Sequence, residues 1–98
     1  MAKKYVVTDE YIILGHVEYH NELVKDKNKI IGGGRWELVK DTNTLYFYGK
    51  SDEFGSVTLE QFKNSYYYNN REHKIIFSTK EYFSDALKDE NAVEVNFD

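Results

Sequence analysis

At 98 residues the chain is long enough for one domain, spanning 1–98, with a single modest core. Its 17 acidic and 13 basic side chains leave a formal net charge of −4, which excludes a general nucleic-acid binder built on a basic face. The lack of Cys excludes disulfides and thiolate metal sites, and no apolar run reaches membrane-spanning length.

Taken in chain order, residues 11–19 alternate as a strand, with Tyr11, Ile13, Gly15, Val17 and Tyr19 on one face and His16, Glu18 and His20 on the other. Residues 25–29 form a polar turn whose three lysines, Lys25, Lys27 and Lys29, make a local basic patch. A second strand follows over 30–39. Asp41-Thr42-Asn43 supplies turn chemistry before a third strand over 44–48, with Leu45 and Phe47 facing the core. Residues 51–56 read as a loop. Thr58 and Gln61 have capping-box spacing, and Leu59, Phe62 and Tyr66 recur at helical intervals until Asn69-Asn70 ends the helix. A fourth strand is expected over 73–78. A second helix over 80–88 would cluster Tyr82, Phe83, Ala86 and Leu87, and residues 92–97 read as an edge strand. This order predicts an α+β domain: a single mixed or antiparallel sheet with two helices packed against it.

The 9 Tyr, 6 Phe and one Trp mostly alternate with other residues, which suits a β-rich core. Tyr66-Tyr67-Tyr68 is different, because three consecutive rings cannot all face one core. Read as the end of an amphipathic helix, the triplet buries one ring and leaves at least one exposed as a contact surface.

Five of the six glycines fall in two places, Gly32-Gly33-Gly34-Arg35 and Tyr48-Gly49-Lys50-Ser51-Asp52-Glu53-Phe54-Gly55. Glycine weakens a strand and packs nothing, so a run of three implies close approach to the backbone. A Gly-bracketed loop with a central Ser can offer amide donors and a hydroxyl to an anion. The histidines point away from a metal. Residues four apart in a strand are separated by roughly 13 Å, too far for His16 and His20 to share one ion, and His73 reads as a surface residue.

Three segments stand in a fixed order: Val17-Glu18-Tyr19-His20-Asn21-Glu22-Leu23, Gly32-Gly33-Gly34-Arg35, and Tyr48-Gly49-x-Ser51-x-x-Phe54-Gly55. Over roughly residues 11–77 they resemble the phosphohistidine phosphatase (Janus/Ocnus) family, with its Tyr-His pair, Gly-Gly-Gly-Arg run and Tyr-Gly-x-Ser-x-x-aromatic-Gly loop. The resemblance implies that His20 is the catalytic histidine, acting as general base or transient phosphoryl acceptor. It implies phosphate-binding roles for the Asn21 amide, the Ser51 hydroxyl, the Glu53 amide and Arg35. Some relatives add a lysine from an early strand, for which Lys3 and Lys4 are the candidates. Where the family has a helix after its histidine, this chain has the turn over 25–29, and Asp52 and Glu53 bring carboxylates to a loop that is usually uncharged.

The function so implied is metal-independent hydrolysis of a phosphoramidate, on phosphohistidine or phospholysine in a protein, with no cofactor. Met1-Ala2-Lys3-Lys4 leads into a short mixed segment unlike a signal peptide, so a cytoplasmic monomer is expected, with no membrane or nucleic-acid partner. The alternative is a catalytically inactive acidic module of the same fold, from a phage or mobile element. It would bind or inhibit a basic protein partner through the tyrosine triplet. An anion-binding protein without turnover lies between the two.

Overall fold

Ala2–Thr8, which shows no strand-like alternation, forms β1, an interior strand of the sheet. The physical reason is burial on both faces. Tyr5, Val6 and Val7 are each at most 1% exposed, so the segment reads as a continuous apolar run instead of alternating. The computed structural model describes residues 1–97. Its other strands are β2 (Ile12–Val17), β3 (Ile30–Val39), β4 (Thr44–Tyr48), β5 (Lys74–Phe77) and β6 (Val93–Glu94). They form one mixed sheet in the order β2-β1-β3-β4-β5-β6. Of these pairs only β4–β5 is parallel, and the crossover it requires carries the helix α1, Leu59–Asn64. A second helix, α2, spans Phe83–Leu87.

Register assigns the two faces. Tyr5 lies opposite Leu14 and Gly34, Trp36 opposite Phe47, and Phe47 opposite Phe77, so these side chains share one face. There Leu45, Phe47, Ile75 and Phe77 pack against Phe62 of α1, together with Val57, Tyr67 and Val95. Phe62 sits 4.9 Å from Phe47 and 4.8 Å from Phe77, centroid to centroid. Each such aromatic pair adds about 0.5–1.5 kcal/mol beyond the area it buries. The other face carries Lys4, Val6, Gly33, Arg35, Tyr46 and Tyr48. It is covered by a 3-10 helix at His20–Leu23 and by Phe83 of α2, whose ring lies 5.6 Å from Tyr46 and 5.5 Å from Tyr48.

Several elements differ from their sequence patterns. The capping box is present: Thr58 accepts from the Gln61 N–H at 3.1 Å, and Gln61 accepts from the Thr58 N–H at 2.9 Å. Yet α1 stops at Asn64 instead of running on to Asn69. Ser65 ends it, its hydroxyl donating to the Thr8 carbonyl, and Tyr66 then bridges in parallel to Tyr11 at the sheet edge. Tyr66 is therefore extended chain rather than a helix end, and Tyr67 opens a turn through Tyr68 that the Asn70 N–H closes on the Tyr67 carbonyl at 3.1 Å. Alternation buries Tyr67 at 6% exposure and leaves Tyr66 and Tyr68 at 46% and 69%.

α2 is shorter than the 80–88 pattern, with Ala86 buried, Phe83 half-buried, and Tyr82 and Leu87 exposed. β6 covers only two residues of the 92–97 pattern, although Val95 beyond it still donates to the Ile75 carbonyl at 2.9 Å. Part of the 25–29 turn is a short 3-10 helix, Lys27–Lys29. No helix among the described residues is long and apolar enough to cross a membrane.

Candidate active site

β2 ends at Val17, so His20 does not share a strand face with His16 and Glu18. Tyr19 instead caps the 3-10 helix His20–Leu23, its N–H donating to the Glu22 carboxylate at 2.6 Å. This turn folds His20 back over β3 and leaves it 6% exposed. His16 stays exposed on the opposite face, its ring edge-on to Trp36 at 5.3 Å.

The His20 Nε2 lies 2.8 Å from the Gly34 carbonyl oxygen. A carbonyl only accepts, so in the neutral ring Nε2 carries the proton and Nδ1 holds a free lone pair. No described residue bonds Nδ1. Because no buried side-chain nitrogen or oxygen among the described residues lacks a partner, Nδ1 must open to solvent. Burial holds the imidazole pKa below its usual 6.5, outweighing the rise from the Gly34 bond. Lys4 and Arg35 lower it further, while Asp52 raises it.

The glycine run makes this approach possible. A methyl on Gly33 would collide with the Tyr5 carbonyl and stand 3.0 Å from His20 Cδ2. One on Gly34 would collide with the Tyr48 carbonyl and come within 2.9 Å of the Gly49 carbonyl. The loop after β4 is tied to the same strand. The Ser51 N–H donates to the Gly33 carbonyl at 3.0 Å, and the Gly33 N–H to the Gly55 carbonyl at 3.0 Å. Gly49 and Gly55 close the loop with φ of 72° and 79°, a region costly for residues with a Cβ.

A cleft of about 200 Å³ results, lined by His20 with Lys4, Glu18, Tyr19, Arg35, Lys50, Asp52 and Glu53. Of the residues expected to bind phosphate, Arg35 and Glu53 line it with His20, while Asn21 and Ser51 do not. Ser51 is 1% exposed, and its hydroxyl oxygen accepts from the Phe54 N–H at 3.0 Å, which places it inside the loop's own hydrogen bonding. Lys4 reaches the cleft because it lies opposite Arg35 in the β1–β3 register, and its ammonium donates to the Glu18 carbonyl. Lys50 and Asp52 also enter. No pattern marks Lys50 in the sequence, since a loop lysine is ordinary surface. The cleft thus holds three cations and three carboxylates. It continues into a neighbouring hollow of about 330 Å³ that shares Arg35, Lys50 and Asp52 and is walled by Tyr48, Tyr82 and Phe83. The described residues hold no group of three or more His, Asp or Glu placed to bind a metal ion.

Compared with models of known protein families, with curated proteins and with solved structures, the chain matches none of them.

Proposed function

We propose that the chain is a cytosolic, monomeric, metal-independent phosphoramidate hydrolase of the phosphohistidine phosphatase kind, acting on phosphohistidine or phospholysine in proteins. One observation carries the reading: a half-polar cleft contains an imidazole held by Nε2 on the Gly34 carbonyl, with Nδ1 free and Lys4, Arg35 and Lys50 around it.

A phosphoryl group brings negative charge that these cations complement, Arg35 with a geometry suited to two phosphate oxygens. The depressed His20 pKa keeps Nδ1 unprotonated near neutral pH. Nδ1 then has two routes. It can attack phosphorus, forming an N–P bond as the substrate's N–P bond breaks and the leaving nitrogen departs protonated; water next cleaves the phospho-imidazole. Alternatively it takes a proton from the water that attacks phosphorus directly, and gives that proton to the nitrogen released as the substrate's N–P bond breaks. In either case Asp52 and Glu53 must turn outward from the phosphate, where they can meet the basic part of a protein substrate.

The test is release of inorganic phosphate from phosphoramidate and from a phosphohistidine peptide, in chelator, by the wild type and by His20→Ala. Removing the imidazole should slow hydrolysis by about 10²–10⁴-fold. Equal rates would overturn the role of His20. Label retained on the protein after an alkaline quench separates the covalent route from the general-base route.

A second reading, an acidic module that binds a basic protein, is favoured by the exposure of Tyr66 and Tyr68 at 46% and 69%. It predicts no turnover with either substrate.

A further inference from the structure

On the face opposite His20 lies a groove of about 350 Å³ whose floor is Leu14, Trp36, Leu38 and Tyr67, with Tyr68 and His16 at its rim. One wall is β2, the free edge of the sheet. The Ile12 N–H points away from β1 and donates to the Tyr66 carbonyl at 3.0 Å. Strand alternation turns the N–H groups of Leu14 and His16 the same way, and among the described residues β2 pairs only with β1 beyond Ile12. The chain's own Tyr66 thus begins a strand on this edge in parallel. Tyr67 and Tyr68 then veer away and open the groove beside the unpaired backbone.

We propose that this edge and groove form a docking site for an extended, lysine- or arginine-bearing segment of a partner protein. The segment continues the strand that Tyr66 starts and seats an apolar side chain on Trp36. Unpaired strand edges template such additions through their hydrogen bonding, while the adjoining pocket selects side chains. Charge sets the partner's sign. Among the described residues no Lys, Arg, Asp or Glu lines the groove, Glu72 beside it lies 4.0 Å from His73, and Lys3 above Trp36 is paired with Glu37, so the sign comes from the molecule as a whole. The chain as a whole carries −4. This site is independent of the His20 chemistry.

The probe is an acetylated, amidated heptapeptide alternating lysine with valine and phenylalanine. Trp36 is the only Trp, so its emission reports on the groove directly. Binding should shift that emission and slow amide exchange at Leu14 and His16 on the order of tenfold. Glutamate in place of lysine, or N-methylation of the peptide's edge-facing amides, should remove the protection. Tyr68→Ala, which trims an exposed ring, should weaken it. Unchanged exchange at millimolar peptide, or equal protection by the N-methylated peptide, would overturn the proposal. So would protection of the same amides without peptide in a sedimenting dimer, since a second copy would then be the occupant.

Discussion

The two faces of the sheet present opposite kinds of surface. Around His20 the backbone of β3 is tied down: the Gly33 N–H and carbonyl bond the loop, the Gly34 carbonyl bonds the imidazole, and charged side chains converge on a small cleft. Around Trp36 the outer edge of β2 beyond Ile12 has no strand partner among the described residues, and the lining is mostly apolar and aromatic. Lys4, Arg35 and Lys50 gathered around an imidazole suit a reaction on an anionic group. An open edge beside an apolar groove suits a partner that brings its own strand. One thin sheet can carry both because alternate residues of a strand face opposite ways: β3 gives Arg35 to the cleft and Trp36 to the groove.

The largest expected effect that would break this division is His20→Ala. It should remove phosphoramidate hydrolysis by about 10²–10⁴-fold while leaving peptide-induced protection at Leu14 and His16 unchanged. Loss of both would mean that the faces are coupled. Next, Phe62→Ala should cost about 3–5 kcal/mol, read as a lower denaturant midpoint, because this ring holds α1 against β4 and β5. Gly33→Ala should cost about 1–3 kcal/mol by crowding the Tyr5 carbonyl. It should also slow hydrolysis by displacing the His20 ring, with little effect at the groove.

The pH dependence comes next. The His20 pKa lies below 6.5, so the acid limb of the activity profile should fall below 6.5. Asp52→Asn should move that limb lower, and Lys4→Gln should move it higher, because these charges act on the imidazole with opposite sign. The same depression affects stability. The unfolded chain binds the proton more readily, so the contribution is complete above 6.5 and is lost as pH falls from there through the folded pKa. The smallest effect is Tyr68→Ala, expected within about 0.5 kcal/mol of wild-type stability and with unchanged hydrolysis. A drop in hydrolysis would show that the groove serves the cleft.

Local signals were legible where a residue's role is settled by its neighbours in sequence. The Thr58–Gln61 capping box, the Gly-bracketed loop over 49–55, and the inward pair Leu45 and Phe47 are of this kind. Where distant contacts decide, sequence pattern misled. β1 lacks alternation because both of its faces are buried, and without it neither Lys4 nor its register with Arg35 could be placed. Tyr66 has helical spacing from Phe62, but hydrogen bonds to Glu10 and Ile12 across the sheet edge hold it extended.

Taken by itself, the chain's order of residues determined an α+β domain, its turns, and the close backbone approach at Gly32-Gly33-Gly34. These follow from periodicity and from the conformations open to single residues. Only the tertiary structure decided that His20 turns back onto Gly34, that Lys4 and Lys50 join it while Ser51 stays inside its loop, and that β2 keeps a free edge. Each of these depends on strand partners far apart in the chain, and hydrogen bonds across a sheet leave no mark in the spacing of the residues that make them.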